Sequence, residues 1–327
     1  MNQVRSVWWA CRVPGLKEPF DTAHLRIFYP ARATGCDTER LTGMVAADAG
    51  RGPFPVVVLL PGINVPADSY RWLAVLLAAR GFATVTPELV GELFAGNHGV
   101  TPGIDLEACG PASYGTRATT PLIGAVLGAL AELAPASPLA GLLDTSRVVV
   151  GGHSAGGTVA LQSAAHVRGL RGVFTYGAHT LVATALGHPP GTVLPVGGGA
   201  PVLLMSGEHD GVIAASADRY GPQAGAGEDP VARTFHDALA DAGGAHAWVK
   251  VAAAGHFTIC DPVDPTSARG FLETSQAPAS DARSLIGALV AAFCTATLAA
   301  RPTRADTEAF TALLAPPHPG LVSVLRR

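Results

Sequence analysis

Charged residues are scarce in this sequence of 327 residues, and their scarcity excludes several classes of protein. Asp, Glu, Lys and Arg make up only 14% of the chain, whereas hydrophobic residues make up 48%. Intrinsically disordered proteins show the opposite balance. The net charge is −3, and nothing resembles the concentrated basic patch of nucleic-acid-binding proteins, so we expect no nucleic-acid partner. The composition indicates a globular protein with a large core.

Cysteine is also scarce, and its few positions form no recognisable motif. There is no CxxC pair, and no spacing is typical of a zinc site. Because the number of cysteines is odd, at least one is unpaired within the chain. We therefore expect reduced, mostly buried thiols in a cytoplasmic enzyme, and no metal site. The five cysteines are Cys11, Cys36, Cys109, Cys260 and Cys294.

No segment is typical of a signal peptide or of a membrane span. Residues 1–20 contain no continuous apolar run and no cleavage site of small residues. Residues 285–300 are the most apolar stretch, but they are Ala-rich and short for a span. We expect a buried helix there and no stable membrane insertion. Since no phosphate-binding loop or dinucleotide fingerprint occurs, we also expect no cofactor.

Strand-like and helix-like segments alternate along most of the chain. Residues 55–60 are apolar at every position, which is typical of a strand buried on both faces. Such alternation favours an α/β fold with a mostly parallel central sheet and helices on both faces. The predicted strands are 4–9, 25–29, 55–60, 82–86, 147–151, 172–176, 201–206 and 247–251. The predicted helices are 70–80, 120–134, 155–166, 231–242, 282–299 and 304–315.

The chain shows no internal repeat and no linker that would separate two units, so we predict one domain over residues 1–327. Two stretches rich in Gly and Pro, 87–118 and 177–200, lack a clear period. We predict that they are long loops or lids. A further stretch, 31–53, is predicted to be a hairpin loop or a short excursion.

The strongest motif is Gly-Gly-His-Ser-Ala-Gly-Gly over residues 151–157, which contains G-x-S-x-G. A predicted strand precedes it and a predicted helix follows it, as in a nucleophile elbow. On so tight a turn the residues two positions from the serine must be small, here Gly152 and Gly156. The turn directs the hydroxyl of Ser154 out of the sheet, at the positive end of a helix. Ser154 is therefore the predicted nucleophile.

A serine hydroxyl needs a base to take its proton, and the base needs an acid to fix its tautomer. After such an elbow the acid and the histidine follow in that order. Asp210 follows the strand 201–206, and His256 follows the strand 247–251. Both positions lie at carboxyl ends of strands, where open α/β sheets place their sites. We predict Asp210 as the acid and His256 as the base.

Other residues could fill these two positions. Glu208 is an alternative acid but lies closer to its strand, and Asp261 and Asp264 follow His256 closely in sequence. His209 and His246 are alternative bases that we expect at the surface. Two more histidines are predicted to contact the substrate. They are His153, which directly precedes the nucleophile, and His179, which follows the strand 172–176.

An acyl-transfer site also needs two preorganised donors for the oxyanion. The first should be the amide of Ala155, directly after the nucleophile. The second should come from the loop after the first core strand, and we predict the amide of Ile63. The side chain of Asn64 is a candidate substrate contact, although a plain turn residue is the alternative.

Together the motifs of this sequence resemble those of the α/β-hydrolases. The resemblance is carried by Pro-Gly-Ile at 61–63, Gly-His-Ser-Ala-Gly at 152–156, Gly-Glu-His-Asp at 207–210 and Ala-Gly-His-Phe at 254–257. Within that superfamily the chain looks most like the branch of chlorophyllases, cutinase-like polyester hydrolases and dienelactone hydrolases. The resemblance implies an oxyanion amide at Ile63, where many relatives have an aromatic residue.

The sequence therefore predicts a serine hydrolase that cleaves a small-molecule ester, lactone or thioester through an acyl-enzyme. An acyltransferase or cyclase with the same triad is a second hypothesis, because the predicted lids could exclude water. A non-catalytic small-molecule binding protein is a third. The fold alone does not choose among these activities. The sequence carries no signal for a particular oligomeric state.

Overall fold

Ten strands form one continuous sheet in the computed structural model of this chain. The structure describes residues 3–93, 96–133, 135–220, 229–240, 243–264, 266, 279–301 and 303–327. The strands are β1 (Gln3–Arg12), β2 (Thr22–Ala31), β3 (Phe54–Leu60), β4 (Ala83–Glu92), β5 (His98–Val100), β6 (Leu143–His153), β7 (Leu170–Tyr176), β8 (Val202–Gly207), β9 (His246–Val251) and β10 (Leu321–Arg326). The α-helices are α1 (Asp37–Thr42), α2 (Arg71–Arg80), α3 (Leu122–Ala131), α4 (Ala155–Ser163), α5 (Gly211–Ala214), α6 (Pro230–Arg233), α7 (Ser280–Leu298) and α8 (Arg304–Leu313).

The sheet has a parallel centre and antiparallel edges. Its order is β1-β2-β4-β3-β6-β7-β8-β9-β10, with β5 paired to β4. The strands from β4 to β9 along this order pair in parallel. By contrast, β1, β2, β5 and β10 pair antiparallel. The predicted α/β class is confirmed, and the sheet as a whole is mixed because strands are added at both edges.

Helices cover both faces of the sheet, because alternate side chains of the buried strands point in opposite directions. Val56, Val58 and Leu60 of β3 belong to one buried cluster, which also contains apolar residues of α3 and α4. Val57 and Leu59 belong to a second cluster on the other face, with residues of α2 and α7. The central strands therefore bury both faces, as their continuous apolar sequence predicts.

The helix α7 corresponds to the most apolar stretch of the sequence. Its length and composition would suffice to cross a membrane, but buried helices of soluble proteins share these properties. Half of its most apolar window is buried inside the protein. Ile286, Leu289 and Phe293 pack in the core cluster beside α2. The predicted buried helix is thus present, beginning at Ser280 and ending at Leu298.

Several predicted elements differ from those observed. The predicted loop 87–118 begins with the end of β4 and contains β5, and the predicted loop 31–53 contains α1. The predicted helix 231–242 is the short α6 followed by a wider π turn at Thr234–Ala238. The predicted ends of two helices, 231–242 and 120–134, lie outside the described residues. The chain closes with β10, which the sequence did not predict, rather than with a helix.

The carboxyl ends of the parallel strands all lie at one edge of the sheet. The loop after β3, the turn after β6, the turn after β8 and the loop after β9 therefore come together there. These are the four segments that carry the predicted oxyanion donor, nucleophile, acid and base.

Candidate active site

Ser154 stands alone between β6 and α4, in a strained backbone conformation. Its φ is 53° and its ψ is −126°, a region that non-glycine residues rarely adopt. Such a conformation costs on the order of 1–3 kcal/mol and persists only where the surroundings impose it. The Ser154 N–H donates to the Tyr176 carbonyl at 2.9 Å, and its carbonyl accepts from Thr158 at 3.0 Å. The elbow is thus held between the neighbouring strand and the helix.

The glycines around Ser154 allow the close packing that this turn requires. A Cβ on Gly152 would lie 2.3 Å from the backbone of Gly156. A Cβ on Gly156 would lie 2.5 Å from the carbonyl oxygen of Pro61. Real Cβ atoms do not tolerate such distances. The prediction that both positions must be small is therefore confirmed, and the collisions are with backbone that cannot move aside.

His256 and Asp210 form a buried hydrogen-bonded pair. The distance between His256 Nδ1 and Asp210 Oδ2 is 2.9 Å, and the side chains are only 2% and 6% exposed. The second carboxylate oxygen of Asp210 accepts from the amide of Ile213 at 2.9 Å, which caps α5. Both oxygens are thus held in place. A carboxylate at Nδ1 keeps the proton on that nitrogen and leaves Nε2 to act as the base.

Gly177 packs directly against this pair. A Cβ at this position would lie 2.8 Å from His256 Nδ1 and 3.1 Å from Asp210 Oδ2. Its φ of 60° also lies in the region that favours glycine. Any larger residue would therefore push on the hydrogen bond between the acid and the base.

The two predicted oxyanion donors lie on the same cavity as Ser154. Ile63 follows β3 and Ala155 begins α4, and both line the cavity. Within the described part of the chain, neither amide donates a hydrogen bond to a backbone carbonyl. The first amides of a helix have no partner within the helix, so the Ala155 amide can bind an anionic oxygen.

The alternative acids are engaged elsewhere. Glu208 accepts from the amide of Ala253 at 3.0 Å, on the exposed side of its turn. Asp261 pairs with Arg283 at 3.3 Å and its side chain is 52% exposed. Asp264 accepts from Thr266 within its own turn. None of these contacts leads to His256.

The alternative bases also differ from His256 in their surroundings. His209 is about half exposed and faces Glu208. His246 is buried at the start of β9, so the expectation that it lies at the surface was wrong. Burial lowers the pKa of His246. His246 is held as a neutral core residue.

His153 lines the cavity, as the sequence predicts, whereas Asn64 is not among the described lining residues. The His153 ring is fully buried, with one nitrogen on Tyr70 and the other on the backbone of His256. Asn64 adopts a φ of 55°, and its side-chain oxygen lies against Gly99 of β5. The ring nitrogens of His153 therefore face the protein interior, and the side chain of Asn64 packs on β5.

The cavity in front of Ser154 has a volume of about 480 Å³ and a largely aliphatic wall. The stretch 87–118 contributes Ile104 and Leu106, and the stretch 177–200 contributes Leu181 and Leu186. Both Gly/Pro-rich stretches thus line the site. Among the described residues that line the cavity, Arg219 is the one with a cationic side chain, and none has a carboxylate.

His179 lies in the cavity wall, as the sequence predicts. Its Nε2 is 3.0 Å from the hydroxyl of Tyr220, and the two rings meet edge to face. Burial lowers the pKa of His179 to about 4. The side chain is therefore neutral at physiological pH and contributes a polar but uncharged patch.

Three residues of the site escaped the sequence analysis, namely Tyr70, Gly177 and Tyr220. Gly177 directly follows β7, and a glycine after a core strand was the one available signal. The contact between Tyr70 and His153 joins positions 83 residues apart. No local pattern reports such a contact.

The side chains present do not indicate a metal centre. Among the described residues, no three His, Cys, Asp or Glu side chains come together in a way that could hold an ion. No protein-family model matches the sequence, and no curated protein shows significant similarity to it. The function must therefore be argued from the site itself.

Proposed function

We propose that this protein is a serine hydrolase with the α/β-hydrolase fold, and that it cleaves a carboxylic ester or lactone through an acyl-enzyme on Ser154. The observation that carries the proposal is the buried 2.9 Å hydrogen bond between Asp210 and His256, which lines the same cavity as Ser154. The order of elbow, acid and base along the chain agrees with the resemblance.

Each group then has a defined part in the reaction. His256 Nε2 takes the proton of Ser154 as the hydroxyl oxygen attacks the carbonyl carbon. The amides of Ala155 and Ile63 hold the oxyanion of the tetrahedral intermediate. His256 returns the proton to the leaving alcohol, and Asp210 stabilises the imidazolium between the two transfers. Water, deprotonated by His256, then releases the acid and restores Ser154.

The cavity supports a substrate with an uncharged apolar group of moderate size. Its volume of about 480 Å³ lies within the usual range for small-molecule sites. Ile104, Leu181 and Leu186 offer aliphatic contacts, and His179 is neutral. An acyl or alcohol part of several methylene groups would bury apolar surface there.

A fluorophosphonate probe tests the nucleophile. The wild-type protein should be labelled, and the adduct should lie on the peptide that contains Ser154. Ser154→Ala should abolish labelling and reduce ester turnover by about 10⁴-fold or more. Ser216→Ala is the matched control, because Ser216 lines the same cavity but does not follow an elbow strand. Equal labelling of wild type and Ser154→Ala would refute the proposal.

A panel of p-nitrophenyl esters of rising chain length, lactones and thioesters should identify the substrate class. The same assay with a competing alcohol separates hydrolysis from acyl transfer. Acyl transfer is favoured by the two loop stretches, 87–118 and 177–200, because they line the cavity and would limit access of water. Tight, saturable binding of an ester without turnover would instead support a non-catalytic binding protein.

A further inference from the structure

The histidine that precedes the nucleophile is a second buried histidine of the site, distinct from the base. The His153 ring is 0% exposed and lies 4.7 Å, centroid to centroid, from the His256 ring. His153 Nδ1 is 2.9 Å from the hydroxyl of Tyr70. His153 Nε2 is 3.0 Å from the backbone carbonyl oxygen of His256. Both ring nitrogens thus face a polar partner inside the protein.

The partners fix the direction of each hydrogen bond. A carbonyl oxygen can only accept, so His153 Nε2 carries the proton and donates to His256. Nδ1 of the neutral ring then accepts, and the hydroxyl of Tyr70 donates to it. The Tyr70 oxygen in turn accepts from the amide of Gly62 at 3.0 Å. The result is one continuous chain of donors from Gly62 through Tyr70 and His153 to His256.

The surroundings hold both side chains in their neutral forms. Burial, with the neighbouring His256 ring, lowers the pKa of His153 well below its ordinary value. Burial, with the nearby Cys260 thiol, raises the pKa of Tyr70 well above its ordinary value. A neutral imidazole is needed here, because a protonated ring would have no lone pair for Tyr70.

The two ends of this chain belong to the reacting machinery. Gly62 immediately precedes Ile63, whose amide is the proposed oxyanion donor. A Cβ on Gly62 would lie 3.0 Å from His153 Nδ1 and 3.3 Å from Ser154 Cβ, so the loop rests directly on the elbow. The other end is the peptide group of the base itself.

The loop that carries His256 has other anchors that do not pass through His153. Tyr176 donates to the carbonyl of Gly255 at 2.6 Å, and Trp72 donates to the carbonyl of Ile259 at 2.8 Å. Loss of the Tyr70 hydroxyl would therefore leave this loop attached to the core. Only the link between the loop that carries His256 and the loop that carries Gly62 and Ile63 would be lost.

We propose that Tyr70 and His153 are positioning residues, which align the oxyanion loop and the base with Ser154 through this hydrogen-bonded chain. The inference rests on the proposed function. Both side chains are fully buried and the two ring nitrogens of His153 are engaged inside the protein, so we assign them no hydrogen bond to the substrate. Small misplacements of reacting groups reduce rates by as much as about 100-fold, so such alignment has a measurable consequence.

Tyr70→Phe removes one hydroxyl and is the first variant to compare. Its kcat should fall about 10- to 100-fold while KM changes little, because the aliphatic wall is untouched. Tyr29→Phe is the matched control, because Tyr29 is also buried and donates to a backbone carbonyl, that of Val45 at 2.9 Å. It should lose similar stability but keep its kcat. Wild-type kcat in Tyr70→Phe would overturn the inference.

His153 variants test whether the two residues act together. In His153→Gln the side-chain amide can replace Nε2 as donor to His256 but offers Tyr70 no group at the place of Nδ1. Adding Tyr70→Phe to His153→Gln should cost little more than either change alone, since both break the same link. Fully additive losses in kcat would contradict a single chain.

The ring state of His153 can be measured without any substrate. In ¹⁵N spectra of histidine-labelled protein at pH 7, the His153 ring, identified by the loss of its signals in His153→Gln, should be neutral with its proton on Nε2. Its Nδ1 shift should change in Tyr70→Phe and stay unchanged in Tyr29→Phe. A proton on Nδ1 would overturn the inference. Absence of turnover and of labelling in wild type, with these spectra as expected, would count against the proposed function alone.

Discussion

The two walls of the cavity are built in different ways. One wall holds the proposed catalytic groups, and we call it the catalytic wall. It comprises Ser154, Ala155, His256 and Ile63, which lie in the segments after the carboxyl ends of core strands. The aliphatic wall comprises Ile104, Leu106, Leu181 and Leu186, which lie in the two Gly/Pro-rich stretches. The catalytic wall is fixed by backbone hydrogen bonds and close glycine contacts. The aliphatic wall is made of side-chain surface carried on loops.

This difference agrees with what each wall would do in the proposed reaction. Proton transfer and oxyanion binding need atoms held within a few tenths of an ångström, and strand ends in a hydrogen-bonded sheet supply that rigidity. Apolar contacts are nondirectional, so loops can supply them and can change without disturbing the chemistry. Substitutions in the two walls should therefore act on different kinetic constants.

The largest effect on kcat is expected from Asp210→Asn, because Asp210 supports His256 of the catalytic wall. The amide would favour the wrong tautomer of His256, so kcat should fall on the order of 10³–10⁴-fold. Asp261→Asn and Glu208→Gln are the controls, since both side chains are engaged away from the base. A comparable loss in either control would show that the acid is misassigned.

A smaller effect is expected from Gly177→Ala. The added methyl group would press on His256 Nδ1 and Asp210 Oδ2, and we expect kcat to fall about 100-fold. Gly141→Ala imposes a similar backbone strain, with a φ of 71°, but its Cβ would have no neighbour within 4 Å. Steady-state kinetics should therefore separate the two variants. Equal losses would point to backbone strain rather than to the collision.

In the aliphatic wall, Leu186→Ala should change selectivity rather than chemistry. The smaller side chain leaves room for a longer acyl chain, so the ratio of kcat/KM for longer over shorter acyl chains should rise about 10-fold. One extra methylene group that fits such a pocket is worth about 1–3 kcal/mol. Leu285→Ala is the control, since Leu285 is also half-buried but lies in α7 and does not line the cavity. An unchanged chain-length profile would remove Leu186 from the substrate contacts.

The smallest effect is expected for His179, which also lines the cavity, and it concerns the pH dependence of stability. Its folded pKa of about 4 lies below the ordinary value of 6.5, so between these values only the unfolded chain binds the proton. Stability is therefore present above pH 6.5 and is lost as the pH falls toward 4.

The comparison of wild type with His179→Gln isolates this loss, because all other titrating groups are shared. From pH 7 to pH 5, wild type should lose about 2 kcal/mol more unfolding free energy than the variant. Urea unfolding at several pH values measures the difference. Parallel curves for the two proteins would contradict the burial of a neutral His179.

Much of the catalytic wall was predictable because its signals are local. An apolar run followed by a turn marks each core strand, and G-x-S-x-G after such a run indicates the elbow. Asp210 and His256 follow the next strands in the expected order, and the structure brings these two side chains within hydrogen-bond distance. The requirement for glycine at positions 152 and 156 follows from the same tight turn.

The other features were not predictable because they depend on long-range contacts. β10 is a short amphipathic segment whose strand conformation comes from pairing with β9. His246 reads as a polar residue near a strand, yet it is buried between its backbone partners Val202 and Arg327, which are distant in sequence. His153 lies beside Ser154 in sequence, yet its ring nitrogens face Tyr70 and the backbone of His256, which are far from it along the chain.

By itself the sequence determined the α/β class, the core strands, the elbow at Ser154, and the order of acid and base. These depend on residue patterns within one strand and its turn, and such patterns are local. The tertiary structure decided which acid meets His256, which loops line the cavity, and how Gly62, Tyr70, His153 and His256 join in one chain. Those outcomes depend on distances between segments far apart in the chain, which only the packed sheet sets.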